Sequence, residues 1–375
     1  MVYLDYNATT PLCPEARQAM LPLLDGVYGN PSSIHSEGRR ARAVVDDARD
    51  RLAAVMGVKA HELIFTGGGT ESCNLGVIGL ARAHAPKGRH IITSAIEHHA
   101  VLHAFEYLKH FEGFDVGILP VGGNGIASPE ILAAMIRPDT TLVSVMHANN
   151  ETGTIQPLRE LSEICRDRGV LLHTDAVQTF GKIPVSPADL GVSALSISSH
   201  KFCGPKGVGA LFLAAGVALS RTAHGGAQEN TRRPGTENVE GIAGMAAAAE
   251  AISFNGSPHL LREQLWEGIL DACPAAVRNG DPERSLANTL NVSFPEMDGE
   301  ALLIGLDLEG VCASSGSACM VGSIQPSHVL LAMGIAPATA MATVRFSLGR
   351  DTTESDILHA IGAVCNVVAN QLLPA

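Results

Sequence analysis

The sequence predicts an α/β fold in which a large domain with a mostly parallel sheet is joined to a smaller α+β domain. Two observations point to the large domain: short apolar runs alternate with helical patterns, and polar clusters stand at the ends of those runs. A third marks its limit, because the turn-rich Asn255-Gly256-Ser257-Pro258 closes the alternation. Strands that alternate with helices build parallel sheets, and such sheets bind ligands in the crevice beyond the strand carboxyl ends.

The elements follow in order. Ser36 is placed to cap a helix over 39–56, which Gly57 ends. Leu63–Thr66 is a short apolar strand, followed by Gly67-Gly68-Gly69 and a helical pattern over 70–84. His90–Ser94 is a strand, 142–147 is another, and 157–168 is an amphipathic helix stopped by Gly169. Further strands are expected at 170–174, Ala194–Ser198 and Gly209–Leu213, and the Ala-rich 241–251 reads as a buried helix. Beyond the break come a helix over 260–272, a strand at 289–294, a helix over 299–309, a strand at 343–348 and a last helix from 353. The large domain is assigned to 16–256, and the small domain to 1–15 together with 257–375.

Bulk properties narrow the function. The 375 residues are 46% hydrophobic and 17% charged, which suits a folded globular chain. A net charge of -12 disfavours nucleic acid and anionic membranes as main partners, since both need a basic face. The opening MVYLDYNATTPLCPEA is polar and broken by Pro11 and Pro14, so no secretory signal is read, and no apolar run is long enough to span a bilayer. The eight cysteines show no paired metal-type spacing, so no metal site is expected and a reduced, cytoplasmic chain is the natural setting.

Six constellations carry chemistry. Lys201 stands just after the strand Ala194–Ser198, flanked by Ser198 and His200, which can each donate to an anion. Most lysines are solvated surface groups, but one held in a polar crevice and partly desolvated can form a Schiff base. Asp175 ends a buried strand; it serves either as a helix cap or as the carboxylate that keeps a pyridine nitrogen protonated, and the residues alone allow both. Gln178 is placed to bond the ring oxygen of such a cofactor. Gly67-Gly68-Gly69-Thr70 between strand and helix offers backbone N–H groups to a phosphate. His98 can stack on a flat heterocycle and move protons near neutral pH, whereas His99 is taken as an ordinary histidine. Arg345, inside an apolar strand, needs an anion, either a buried ion-pair partner or a substrate carboxylate. Cys319 lies in Ser314-Ser315-Gly316-Ser317-Ala318-Cys319, whose small side chains suit a mobile loop with an accessible thiol. Together these groups point to pyridoxal 5'-phosphate (PLP) held as a Schiff base on Lys201.

The motifs LDYNATTP, GNPSSIH, FTGGGTES, EHHAVL, ANNETGTIQP, HTDAVQTFGK, SSHKFCGPKGVG, RRPGTENV, SSGSAC and TVRFSLGR resemble those of the cysteine desulfurases, which are PLP-dependent transferases of fold type I. The SSGSAC form is similar to the group I, NifS/IscS-like branch, and RRPGTEN with the GDPE…NTLNVSF run is closest to NifS. The resemblance implies that Lys201 carries the cofactor, Asp175 pairs with the ring nitrogen, Gln178 with the ring oxygen, and His98 stacks on the ring. It implies that Gly69, Thr70, Ser198 and His200 hold the phosphate, that Thr236 reaches the partner's site in a homodimer, and that Asn150 and Arg345 bind the substrate carboxylate. Cys319 would take sulfur from L-cysteine as a persulfide, release L-alanine, and pass the sulfur to an iron–sulfur scaffold of the NifU/IscU kind. The chain departs from the family's usual form at Gly69, Cys203, Ala227, Met320 and Val321, and none of these removes a catalytic group. The alternatives are a selenocysteine lyase, another PLP-dependent lyase or an aminotransferase, against which the Cys319 loop is the discriminator, and a catalytically idle relative, which would have lost the lysine, the aspartate or the cysteine.

Overall fold

The computed structural model describes residues 1–254, 258–315 and 325–372. Its main sheet has seven strands in the order Leu63–Thr66, Gly209–Leu213, Ala194–Ser198, Leu171–Asp175, Thr140–Ser144, His90–Ser94 and Asp115–Leu119. Gly209–Leu213 runs antiparallel to both of its neighbours, and the other pairings are parallel.

Alternation along each strand divides the core into two layers, because successive side chains leave a strand on opposite faces. Leu63, Phe65, Ile92, Val143, Leu195, Ala210 and Phe212 pack with apolar residues of the helices Ser36–Met56, Leu158–Asp167 and Val239–Glu250. Their neighbours Ile64, Ile91, Leu142, Ala194 and Leu211 pack on the opposite face with Gly69–His84 and His99–Glu112. The sheet is covered on both faces, so its strands read as continuous apolar runs. The Ala-rich helix Val239–Glu250 is buried from Gly241 through Ala249, as its composition predicts.

A second, three-stranded antiparallel sheet is formed by Thr343–Ser347, Thr289–Ser293 and Val277–Asn279. The helices Pro258–Ala272, Gly299–Leu308 and Glu354–Leu372 pack around it. Val2 and Leu4 lie in the same apolar cluster as Leu265, Leu290 and Phe346, and Val2–Tyr3 pairs in parallel with Val311–Cys312. The chain's first residues therefore fold with its last third before running back to the large sheet. Gly349 is needed where the two meet, since a Cβ there would overlap the Tyr6 ring.

Some expectations shift by a turn or a few residues. The first long helix begins at Ser36 and is capped by His35, whose Nδ1 accepts from Gly38 N at 3.3 Å; Ser36 is already helical and does not cap. Gly57 ends it in the left-handed region, φ 67°. The strand expected at 142–147 is Thr140–Ser144, and Val145 and His147 continue as single backbone bonds to His173 and Asp175. The strand expected at 170–174 is Leu171–Asp175, which makes Asp175 the last residue of the strand itself.

Candidate active site

Asp175, Gln178, Lys201, the Gly loop and His98 follow the carboxyl ends of main-sheet strands, whereas Arg345 lies in a strand of the second sheet. Asp175 closes its strand and is buried, with Oδ1 accepting from Val177 N at 2.9 Å. A run of turns follows it, so the helix-cap alternative has no α-helix to cap. Burial pushes its pKa up, while His98 and Lys201 pull it back down. Desolvation outweighs these charges, and a protonated ring nitrogen would add a further positive partner.

Lys201 ends the turn Ser199–Lys201 and is only partly exposed. Its Nζ donates to the carbonyls of Asn7 at 2.6 Å and Ala8 at 2.7 Å, so it is not a solvated surface lysine. His200 Nδ1 pairs with Thr9 Oγ1 at 3.1 Å, and burial with the Lys201 and Lys206 charges lowers its pKa to about 4. Thr10 accepts from Cys203 N and donates to His200 O, pinning the lysine turn to the first loop.

The Gly loop opens the helix Gly69–His84. A Cβ on Gly69 would lie 2.9 Å from Val177 Cγ2 and 3.2 Å from Ser198 Cβ, so glycine keeps this approach open. Ser198 Oγ is buried and has no hydrogen-bond partner among the described residues. An unpaired buried hydroxyl facing a helix N-terminus is a cradle for an anion, and a phosphate fits it. Thr70 is exposed at the same helix start. These features, with Asp175, fit PLP by the chemistry of the donors present.

His98 caps the helix His99–Glu112, its Nδ1 accepting from Ala100 N at 3.1 Å. In the neutral ring the proton is therefore on Nε2. Burial lowers its pKa; the Asp175 charge opposes this, and Lys201, His99 and His328 add to it. His99 faces His103 and His328 at 5.0 and 4.8 Å between ring centroids.

Arg345 takes the first of its two sequence alternatives, the buried ion pair. It is buried, and Nη2 pairs with Asp5 Oδ1 at 2.8 Å while Nη1 donates to Asn150 O at 3.0 Å. Its Nε has no partner among the described residues. The ion pair is present, and one donor of the fork remains for another anion. Asn150 thus adjoins Arg345 through its backbone.

Cys319 lies outside the described residues. The described chain on either side is fastened to the site: Ser314 exchanges backbone bonds with Arg345, Ser327 Oγ donates to Glu151 Oε2 at 2.5 Å, and His328 Nε2 bonds Glu97 O at 2.9 Å. Thr236 is exposed, on a loop tied to the Gly loop where Arg233 pairs with Glu71 (Nε to Oε1 at 2.7 Å) and Glu71 accepts from Gly67 N.

Two residues with no role read from the sequence are central. Asn7 O accepts from Lys201 and Gln178, and its Oδ1 accepts from Lys182 and Asn288. Its Nδ2 donates to Asn150 O and Thr289 Oγ1. Lys182 Nζ donates to Gln178 Oε1 at 2.7 Å. Both sit inside recognised motifs, LDYNATTP and HTDAVQTFGK, and that placement was the available signal.

Fold and site define a class-V aminotransferase, and residues 2–359 match that family. A cysteine desulfurase IscS of Dictyoglomus turgidum is 46% identical over 372 residues, covering 98% of this chain and 94% of the relative. A solved NifS-like protein superposes with a TM-score of 0.92 at 38% identity, covering 98% and 99% of the two chains. The solved SspA in complex with cysteine matches with a TM-score of 0.84 at 34% identity, over 93% of this chain and 99% of that one. Within the class-V aminotransferases, the chain belongs to the cysteine desulfurase family.

Proposed function

We propose that this cysteine desulfurase converts L-cysteine to L-alanine with PLP bound at Lys201 and sulfur leaving on Cys319. The observation that carries the reading is the meeting of Asp175, Gln178 and Lys201 at adjacent strand ends, with Gln178 and Lys201 joined through Asn7 O and Ser198 Oγ beside them without a partner among the described residues. Gly69, Thr70, Ser198, His200 and the partner's Thr236 would hold the phosphate, Asp175 the ring nitrogen and Gln178 the ring oxygen, with His98 against the ring face. When bound, PLP supplies the electron sink that loosens bonds at the amino acid's α-carbon.

The protein's own groups do the rest. Arg345, through Nε, and Asn150 orient the substrate carboxylate. Lys201 Nζ takes the α-proton and holds it for return. Cys319 Sγ, as thiolate, attacks the substrate sulfur; the S–S bond forms as the Cβ–S bond breaks, and the three-carbon fragment takes up protons and leaves as L-alanine. Ser315 is four residues from Cys319, a reach of roughly 13–14 Å, which is compatible with delivery to the site beside Arg345.

The chain is divided into a large PLP-binding domain over 16–256 and a small domain of 1–15 with 257–375, supported by the shared apolar cluster of Val2, Leu4 and Phe346. The enzyme works as a homodimer in a reducing cytoplasm, in keeping with free thiols at Cys13, Cys73 and Cys165, and its acceptor is an iron–sulfur cluster scaffold. No helix of the described residues is long and apolar enough to cross a membrane.

The test is incubation of the holoenzyme with L-cysteine and a thiol reductant, measuring sulfide and alanine together, with Cys319→Ala alongside. Equal amounts of both products, lost in the variant, are expected. Alanine or pyruvate formed without dependence on Cys319 would move the enzyme to another lyase or transaminase reaction.

A further inference from the structure

Lys182 has no part in the roles above, yet its ammonium lies among them. It follows Gln178 by four residues, and Nζ donates to Gln178 Oε1 at 2.7 Å and to Asn7 Oδ1 at 2.5 Å. Burial, with the facing charges of Lys201 and Arg345, holds its pKa well below the ordinary lysine range. Charged or neutral, it keeps the two N–H donors that these contacts use.

The two ends of a glutamine amide are alike in shape and opposite in hydrogen-bonding sense. In Gln178 both ends are engaged: Oε1 faces Lys182, and Nε2 donates to Asn7 O at 2.9 Å. Asn7 O is an acceptor only, and Lys182 Nζ meets the amide here through an N–H. Turning the amide over would set carbonyl against carbonyl at Asn7 and take away the acceptor of that Lys182 N–H. The second N–H of Nε2 is then the donor that Gln178 has left to offer.

We infer that Lys182 is a positioning residue that fixes the sense of the Gln178 amide, so that Gln178 meets the cofactor's ring oxygen as a hydrogen-bond donor. The inference rests on the reading of Gln178 proposed above. Without Lys182 the amide keeps only Asn7 O to set its direction, and the flipped form, no longer opposed at the oxygen end, would set its oxygen against the ring oxygen.

The experiment is a double-mutant cycle read by PLP affinity of the cofactor-free protein and by the visible absorption of the bound form, with melting temperatures of all cofactor-free variants as the folding control. Gln178→Ala should weaken PLP about tenfold, the size of one lost hydrogen bond to a charged group. Lys182→Met should weaken it comparably and change the absorption maximum in the same direction. The double variant should be no more than roughly twofold weaker than either single one, because both changes remove one interaction. Lys182→Arg, which keeps the donors, should restore most of the affinity. Independent, multiplying effects, or parent-like binding by Lys182→Met alongside weakened Gln178→Ala, would overturn the inference. Parent-like binding by Gln178→Ala would instead overturn the reading of Gln178 on which it rests. If Lys182→Met loses its melting transition, Gln178→Glu tests the donor sense with Lys182 in place. It sets an acceptor against the ring oxygen and should bind more weakly than Gln178→Ala; equal or tighter binding counts against the idea.

Discussion

Glu97 shows how burial sets protonation one residue from His98. Its Oε1 accepts from Ser94 Oγ at 2.5 Å and from Met146 N at 2.7 Å, while Oε2 has no partner among the described residues. Burial pushes its pKa up to about 8, against 4.5 for an ordinary glutamate. An acid whose pKa is raised by folding makes the folded state bind the extra proton, so stability falls as pH rises from about 4.5 to about 8. The slope is at most about 1.4 kcal/mol per pH unit for one proton. Glu97→Gln keeps an acceptor for both bonds and has no proton to lose. Its stability relative to the parent should grow between pH 5 and 8 and level off above; urea unfolding at four pH values checks this, and a constant difference would refute it. Asp175 needs the opposite treatment, since in the proposed function its charge would face the ring nitrogen. Asp175→Asn should lower sulfide formation on the order of 10²-fold, mostly in kcat, with the melting temperature little changed. The placement of 175, 198 and 201 was legible because each closes or follows a strand of the alternating pattern. The roles of Asn7 and Lys182 were not, because their partners lie up to 340 residues away in sequence and an Asn or Lys alone carries no such sign.

Among the elements, Leu63–Thr66, His90–Ser94, Ala194–Ser198 and Gly209–Leu213 were read with their observed bounds, since each is an apolar run closed by turn-forming residues. Direction was not legible: Gly209–Leu213 follows the lysine turn too closely for a crossover helix, and this shortness forces it to return antiparallel beside Ala194–Ser198. Asp115–Leu119 was missed because it is an edge strand, exposed along much of its length and without an apolar run. The glycines that bound the elements separate two costs. Gly57 stands at φ 67° with nothing near its missing Cβ, so Gly57→Ala should cost only the backbone term, about 1 kcal/mol. Gly349→Ala drives a methyl into the Tyr6 ring and should cost about 1–3 kcal/mol or more. Urea denaturation of both variants ranks them, and equal losses would contradict the steric account.

At the scale of the molecule, the stretch 327–333 is clamped beside the strand ends of the large sheet. Val329, Leu330 and Met333 pack with Ile96 and Met146, above the Ser327–Glu151 and His328–Glu97 bonds. Leu330→Ala should destabilise the protein by about 2–5 kcal/mol and also lower sulfide formation, because it loosens one anchor of the segment that carries Cys319. Thermal unfolding and a sulfide assay at a temperature where the variant is folded test the two effects separately; full activity there would remove the functional half. The pairing of Val2–Tyr3 with Val311–Cys312 bears also on the order of events during synthesis. Contacts between distant parts of a chain form late, and a domain emerging from the ribosome cannot complete them until both strands exist. Asn7, bonded also to Asn288, Thr289 and Ser347, therefore has its full set of partners only after residue 347 has been made. A half-made chain can fold much of its main sheet, yet it has no finished cofactor site, and so sulfur chemistry waits for the whole polypeptide.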